Sequence, residues 1–188
     1  MTTAVGGENL EACECVPGRH LVQISLDLSS CELCPVDTFK DSIGNSACTQ
    51  CPPHTAGPAG SSSSVECQCV PEFGIQDAQV AGQPQRCEAC ITGKYKPGFG
   101  NRACFKCPPN SMSPPGSNDV TACTCLPGHS GPAGGPCSPC GMGFYRSSAD
   151  AQCIKCPPNT DTSSAVAQSA ADCVGVAGFV VEVVSAIL

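Results

Sequence analysis

Residues 34–69 read CPVDTFKDSIGNSACTQCPPHTAGPAGSSSSVECQC, and their five cysteines, at 34, 48, 51, 67 and 69, decide what kind of fold is available. The pattern alternates C-x2-C with C-x-C, and it recurs along the chain. Cysteines stand at 13, 15, 31, 34, 48, 51, 67, 69, 87, 90, 104, 107, 123, 125, 137, 140, 153, 156 and 173. Cys13, Cys67, Cys123 and Cys173 are spaced by 54, 56 and 50 residues. A period of that size is the mark of a repeat architecture. The residues between the cysteines repeat too. Cys51, Cys107 and Cys156 each open C-P-P-[HN]-[ST], while Cys15, Cys69 and Cys125 are each followed by Val-Pro or Leu-Pro. Phe39-Lys40, Tyr95-Lys96 and Tyr145-Arg146 each begin five residues after Cys34, Cys90 and Cys140.

Composition agrees with a scaffold held by sulfur. The 188 residues include 19 Cys, 20 Gly, 18 Pro and no Trp. Leu, Ile, Val and Phe total only 34, and nine of those fall in the last fifteen residues. A chain so poor in large apolar side chains cannot bury a core that offsets its conformational entropy, and cysteine at this density indicates an extracellular disulfide framework. Charge excludes some partners. Nine Lys and Arg against sixteen Asp and Glu give a net −7, with no basic cluster for a phosphate backbone or an anionic membrane surface.

The combined phrases G-x-Y-K, C-x-x-C-P-P-N-[ST] and C-x-C-x-P-G resemble the cysteine-rich repeats called ephrin-receptor-like. The six-cysteine spacing 34, 48, 51, 67, 69, 87 resembles an EGF-like module. The resemblance spans residues 6–173 and departs at Gly175, where a second cysteine is expected. It implies a small disulfide-rich fold: tandem EGF-like modules with short β-hairpins and little helix, arranged as an elongated rod. It also implies pairing first to third, second to fourth and fifth to sixth. On this chain that gives Cys34–Cys51, Cys48–Cys67, Cys69–Cys87, Cys90–Cys107, Cys104–Cys123, Cys125–Cys137, Cys140–Cys156, Cys153–Cys173 and Cys15–Cys31, with Cys13 unpaired. Pairing consecutive cysteines also leaves Cys13 alone, so the residues themselves leave both connectivities open. Either way each loop of about fifteen residues contributes ~3 kcal/mol through chain entropy.

The organisation expected is the C-terminal part of a truncated module over 1–31, modules at 34–87 and 90–137, an incomplete third module at 140–173, and an apolar β-type tail at 174–188. Within that tail Phe179–Val184 reads as a strand. Residues 1–12 lack the basic start and apolar stretch of a signal peptide, and the repeat is cut at both ends. The chain is therefore expected to be a segment of a longer protein, with membrane contact only through a segment further downstream. Short strands are expected around Thr38–Lys40, Lys94–Lys96 and Phe144–Arg146, and His20–Leu28 is the nearest approach to a helical period. The dipeptides Glu32-Leu33, Glu88-Ala89 and Ser138-Pro139 are the expected linkers, too short to bend freely.

Candidate chemistry is sparse. Cys31, Cys34, Cys48 and Cys51 approach a four-cysteine zinc spacing, repeated at 87/90/104/107 and 137/140/153/156, but this leaves the C-x-C pairs unused. No metal, cofactor or catalytic residue is expected. His20, His54 and His129 fall at different points of the repeat and read as loop histidines. A lone Glu32 or Glu88 before the next cysteine falls short of a calcium site. Ser61, Ser62, Ser63 and Ser64 are candidate acceptors for O-linked sugar. The aromatic of each aromatic–cation pair is expected to pack on its own disulfides. The expected role is a non-enzymatic extracellular or cell-surface spacer. Its partners would be other protein chains, through self-assembly or contact with matrix and surface proteins. A receptor ectodomain fragment and a zinc protein are the alternatives.

Overall fold

Every strand of this protein begins or ends at a cysteine-anchored turn, and the turn chemistry explains why. The computed structural model describes residues 14–25, 28–75 and 86–176. The third residue after each of Cys15, Cys34, Cys51, Cys69, Cys90, Cys107, Cys125, Cys140 and Cys156 is Gly18, Asp37, His54, Glu72, Gly93, Asn110, Gly128, Gly143 or Asn159. All nine adopt a left-handed backbone, with φ between 60° and 78°. In most of these turns the next amide donates to the carbonyl three residues back, as in Arg19 to Val16, Thr55 to Pro52 and Thr160 to Pro157. Proline often precedes the left-handed residue, at Pro17, Pro53, Pro71, Pro109, Pro127 and Pro158. Proline followed by positive φ is the signature of a type II turn.

The described chain forms two units, one of residues up to 89 plus 98–104, the other of residues 90–97 plus 105 onward. In the first, β1 (Arg19–Ser25) pairs with β2 (Leu28–Leu33), and β3 (Thr38–Phe39) with β4 (Thr49–Gln50). There too β5 (Thr55–Ala56) pairs with β6 (Gln68–Cys69), and β7 (Phe73–Ile75) with β8 (Cys87–Ala89). In the second, β9 (Lys94–Tyr95) pairs with β10 (Phe105–Lys106), and β11 (Ser111–Met112) with β12 (Thr124–Cys125). Its last three hairpins join β13 (His129–Ser130) to β14 (Ser138–Pro139), β15 (Phe144–Tyr145) to β16 (Ile154–Lys155), and β17 (Thr160–Thr162) to β18 (Cys173–Gly175). All are antiparallel. Three-residue 3-10 turns, Ser64–Glu66, Val120–Ala122 and Ala170–Asp172, immediately precede Cys67, Cys123 and Cys173.

One register governs all nine hairpins. The residue four after an opening cysteine faces the residue two after the closing one: Arg19↔Leu33, Thr38↔Gln50, Thr55↔Cys69, Phe73↔Ala89, Ser111↔Cys125, His129↔Pro139, Phe144↔Lys155 and Thr160↔Gly175. Lys94↔Lys106 keeps the same offset. The bridges are Cys15–Cys31, Cys34–Cys48, Cys51–Cys67, Cys69–Cys87, Cys107–Cys123, Cys125–Cys137, Cys140–Cys153 and Cys156–Cys173, with Cα separations of 5.5–5.8 Å. Cys90 and Cys104 are disulfide-bonded as well.

This corrects the crossed pairing implied by the EGF resemblance. Cys34–Cys51, Cys48–Cys67, Cys90–Cys107, Cys104–Cys123, Cys140–Cys156 and Cys153–Cys173 give way to the consecutive ladder. Loop entropy does not decide between them. Separations of 17 and 19 against 14 and 16 differ by far less than the doubling that costs ~0.6 kcal/mol. Strand register decides, because β3–β4 pairing brings Cys48 back to Cys34, while Cys51 already opens the next turn, its amide donating to Asp37.

Two further expectations change. The His20–Leu28 stretch supplies strand β1 rather than a helix, and the supposed linkers Glu32-Leu33, Glu88-Ala89 and Ser138-Pro139 are return-strand residues in β2, β8 and β14. The strands expected at Thr38–Lys40, Lys94–Lys96 and Phe144–Arg146 are present but stop one residue earlier, before Lys40, Lys96 and Arg146. Cys13 and Phe179–Val184 lie outside the described residues. Among the described residues no helix is long and apolar enough to cross a membrane. Among the described residues the buried apolar side chains, apart from Ala167, are half-cystines such as Cys15, Cys34, Cys69 and Cys123.

Peptide mapping under non-reducing conditions checks the ladder. Proteolysis between Cys48 and Cys51 should yield a fragment joining Cys34 to Cys48 and another joining Cys51 to Cys67, and no fragment joining Cys34 to Cys51. Removing one bridge as a Cys51→Ala/Cys67→Ala pair should lower stability by ~3 kcal/mol in a denaturant titration.

Candidate functional site

Six residues after Cys34, Cys90 and Cys140 come Lys40, Lys96 and Arg146, the three largest buried polar side chains, at 3%, 2% and 8% exposure. The aromatic before each, Phe39, Tyr95 or Tyr145, is only half-buried. The expectation that the ring stands in for the core is thus reversed in emphasis, since the cation is what the fold encloses. A buried cation is costly unless hydrogen-bonded, and here carbonyl oxygens supply the partners. Lys40 Nζ donates to Cys15 O at 3.2 Å and to Gly44 O. Arg146 Nη1 donates to Cys125 O, Leu126 O and His129 O at 3.0, 3.2 and 2.9 Å.

Each cation also holds its neighbours through the main chain. Gly18 N donates to Lys40 O, and Lys40 N donates to Ser61 O. Gly128 N donates to Arg146 O, and Arg146 N to Ala167 O. Lys96 N likewise donates to Ser117 O. Parallel bridges beside them join Phe39 to Ser61, Tyr95 to Ser117 and Tyr145 to Ala167. Lys40 therefore fastens three successive hairpins, those closed by Cys15–Cys31, Cys34–Cys48 and Cys51–Cys67. Arg146 does the same for Cys125–Cys137, Cys140–Cys153 and Cys156–Cys173. Glycine is required where the hairpins meet. A Cβ on Gly18 would lie 2.4 Å from Gly60 O, and one on Gly128 2.4 Å from Val166 O, at φ of +78° and +77°.

Acidic residues just before the closing cysteines serve as caps. Asp119 Oδ1 accepts from Thr121 N and Oγ1 at 2.8 and 2.6 Å. Asp172 Oδ2 accepts from Gln168 N and Ser169 N at 2.7 and 2.9 Å. Glu66 Oε1 accepts from Ser62 N and Oγ, both at 2.9 Å. Asp150 plays a related part at a loop tip, accepting from Ser147 N and Oγ at 3.0 and 2.6 Å. Hydrogen bonds hold three of these carboxyls below their ordinary 3.8: from the Thr121 hydroxyl and amide at Asp119, from the Ser147 hydroxyl and amide at Asp150, and from the Gln168 and Ser169 amides at Asp172.

The other sequence candidates fall apart spatially. Each supposed zinc tetrad is divided among three disulfides, Cys31, Cys34–Cys48 and Cys51 belonging to different bridges, so no thiolate is free to ligate. Ser61 is fully buried and donates to Pro58 O, which removes it from the hydroxyls open to sugar. Ser62 and Ser64 are exposed and Ser63 is half-buried. Of the histidines, His54 is exposed and stacks on Phe73 with centroids 4.0 Å apart. His20 and His129 are half-buried strand residues rather than loop residues.

A tandem of cysteine-closed hairpins fastened by buried cations is the fold class. Residues 23–67 and 128–173 match the family described as tyrosine-protein kinase ephrin type A/B receptor-like, and the chain carries ephrin-receptor-like cysteine-rich repeats. It is 33% identical over 173 residues to the rat "Sushi, von Willebrand factor type A, EGF and pentraxin domain-containing protein 1", covering 89% of this chain and 5% of that protein. It is 28% identical over 210 residues to "Cysteine repeat modular protein A" of Toxoplasma gondii, covering 91% of this chain and 7% of the relative. Mouse ephrin type-B receptor 4 is 29% identical over 99 residues, 52% of this chain and 8% of the receptor. The chain thus spans a small fraction of these relatives. Disulfides persist in oxidising compartments, and with these relatives they place the protein outside the cell or on its surface.

Two outcomes are expected. Lys40→Met strands Cys15 O and Gly44 O and should cost roughly 2 kcal/mol. Gly18→Ala should cost at least as much, about 1–2 kcal/mol from the left-handed backbone alone with the Gly60 clash added; both are read by denaturant midpoints. The capping carboxylates set an acid limit. Their lowered folded values mean that their contribution is complete above about pH 3.8 and is lost as pH falls through the folded values. Amide protection at Thr121, Ser147 and Gln168 should hold from pH 6 to 4.5 and decline below 3.8.

Proposed function

We propose that this segment is a non-enzymatic, stiff spacer in an extracellular fibre, matrix or surface-appendage assembly, touching other protein chains along its length. The observation that carries this reading is the repeated cation node, in which one buried Lys or Arg fastens three successive hairpins. A second support is that the dipeptides joining C-x2-C cysteines are hydrogen-bonded strand residues and not free linkers. Within a unit, the Glu32-Leu33 and Ser138-Pro139 joints resist bending between neighbouring hairpins. Uniform repetition suits a spacer, because the same residue types hold the same positions from one repeat to the next.

A receptor ectodomain fragment is the second reading, favoured by the match of residues 23–67 and 128–173 to ephrin type A/B receptor-like sequences. In that role the spacer carries a ligand-binding domain elsewhere in the longer protein. Small-angle X-ray scattering of the oxidised chain tests the stiffness common to both. The spacer reading expects one extended particle whose maximum dimension is insensitive to salt. A distribution of sizes that broadens in the wild-type chain as readily as in Lys40→Met overturns it.

A further inference from the structure

Among the described residues, His, Cys and acidic ligand atoms converge in a group of three at one place: His20, Cys34 and Cys48 lie with their atoms within 4.8 Å of one another. Cys34 and Cys48 form the bridge of the second hairpin. His20 Nδ1 is buried and has no hydrogen-bond partner. We infer that Cys34–Cys48 is a thiol–disulfide exchange site, with a small dithiol as its co-reactant and His20 as the proton donor to the leaving sulfur.

The place of His20 in the repeat explains why it meets a disulfide. It stands five residues after Cys15, where Gly74 and Ser130 stand after Cys69 and Cys125. A Cβ built on Gly74 would lie 2.8 Å from Cys104 Sγ, so this position lies against the half-cystines of the next hairpin, which for His20 are Cys34 and Cys48. Only the first of the three carries a group able to move a proton. The other histidines are engaged elsewhere, His54 on Phe73 and His129 Nδ1 beside Pro127 O at 3.2 Å.

The two sulfurs are unequal. Cys34 is fully buried and Cys48 is partly exposed, so an incoming thiolate reaches Cys48. Attack there forms a mixed disulfide on Cys48 Sγ and breaks the Cys34–Cys48 bond. The electron pair of that bond leaves with Cys34 Sγ, which takes a ring proton from protonated His20 and leaves the imidazole neutral. The second thiolate of the dithiol then closes its own ring and releases Cys48 as a thiolate. Two electrons have passed from the dithiol to the bridge. A leaving thiol of lowered basicity departs faster, and a buried sulfur without a proton donor leaves slowly.

The test is graded reduction of the full oxidised chain by dithiothreitol, quenched by alkylation and mapped by mass spectrometry. Cys34–Cys48 should open ~100-fold faster than Cys51–Cys67 or Cys69–Cys87, the lower end of what a positioned proton donor contributes. His20→Ser should abolish the lead while Cys15–Cys31 and Cys51–Cys67 open at wild-type rates. His20→Gly should do the same and regain part of the lead in added imidazole, a rescue that a packing role would not give. Ser130 and Gly74 occupy the equivalent position, so neither residue strains it. Equal opening of the bridges in the wild-type chain, or a lead that persists in either variant, overturns the inference.

Discussion

Antiparallel register between a cysteine's fourth successor and its partner's second successor is the constraint on which the molecule depends. It sets each pair of sulfurs side by side, and it is set by a three-residue turn whose last member has positive φ. A two-residue strand pair is marginal alone. Closing it covalently removes ~3 kcal/mol of loop-closure entropy from the unfolded chain, so a hairpin such as β3–β4 persists with Phe39 as its one large apolar side chain. The bridge and the turn are therefore mutually dependent, and neither would specify the fold without the other.

Hairpins so small have no faces to pack against one another, and the cation supplies what packing ordinarily does. Arg146 sends its charge into backbone carbonyls of the preceding hairpin, and Lys40 into one of the preceding hairpin and one of its own, while their own amides engage the following one. Carbonyls near a disulfide turn have few other donors, because strands of two residues leave most of them outside any ladder. A long basic side chain is the shortest way to satisfy several at once. The difference between the two is geometric. The lysine ammonium meets two oxygens, whereas Arg146 meets three through Nη1 alone, leaving Nε without a partner.

The fold class was legible because cysteine count and spacing dominate the physics. The period and the short strands at Thr38, Lys94 and Phe144 follow from local rules. Connectivity was not legible. The spacing 34, 48, 51, 67 suits crossed or consecutive bridges with loop entropies that are nearly equal, and only strand register separates them. The node was half visible: the recurrence of Lys40, Lys96 and Arg146 marked the position, but an aromatic beside a cation suggests that the ring is inside. The opposite burial follows from carbonyls of a distant hairpin, which no local pattern displays. The capping roles of Asp119 and Asp172 were not legible for the same reason, as their partners are backbone amides of turns next to the bridged Cys123 and Cys173.

A core of sulfur frees large apolar side chains from internal duty, and their distribution follows. Ile43, Val65 and Phe99 are 66%, 70% and 63% exposed, values that would destabilise a conventional domain by leaving its interior unfilled. Here their removal from the surface would gain little, because the positions that must be buried are taken by half-cystines and three cations. Stability is thereby separated from surface chemistry. Residues outside the cysteines, the left-handed turn positions, Gly18 and Gly128, and the nodes can change without unfolding the array. Relatives only about a third identical can on this basis share the framework while presenting different exteriors. A segment built this way keeps its spacing under wide substitution, and any partner is chosen by side chains that the fold itself does not need.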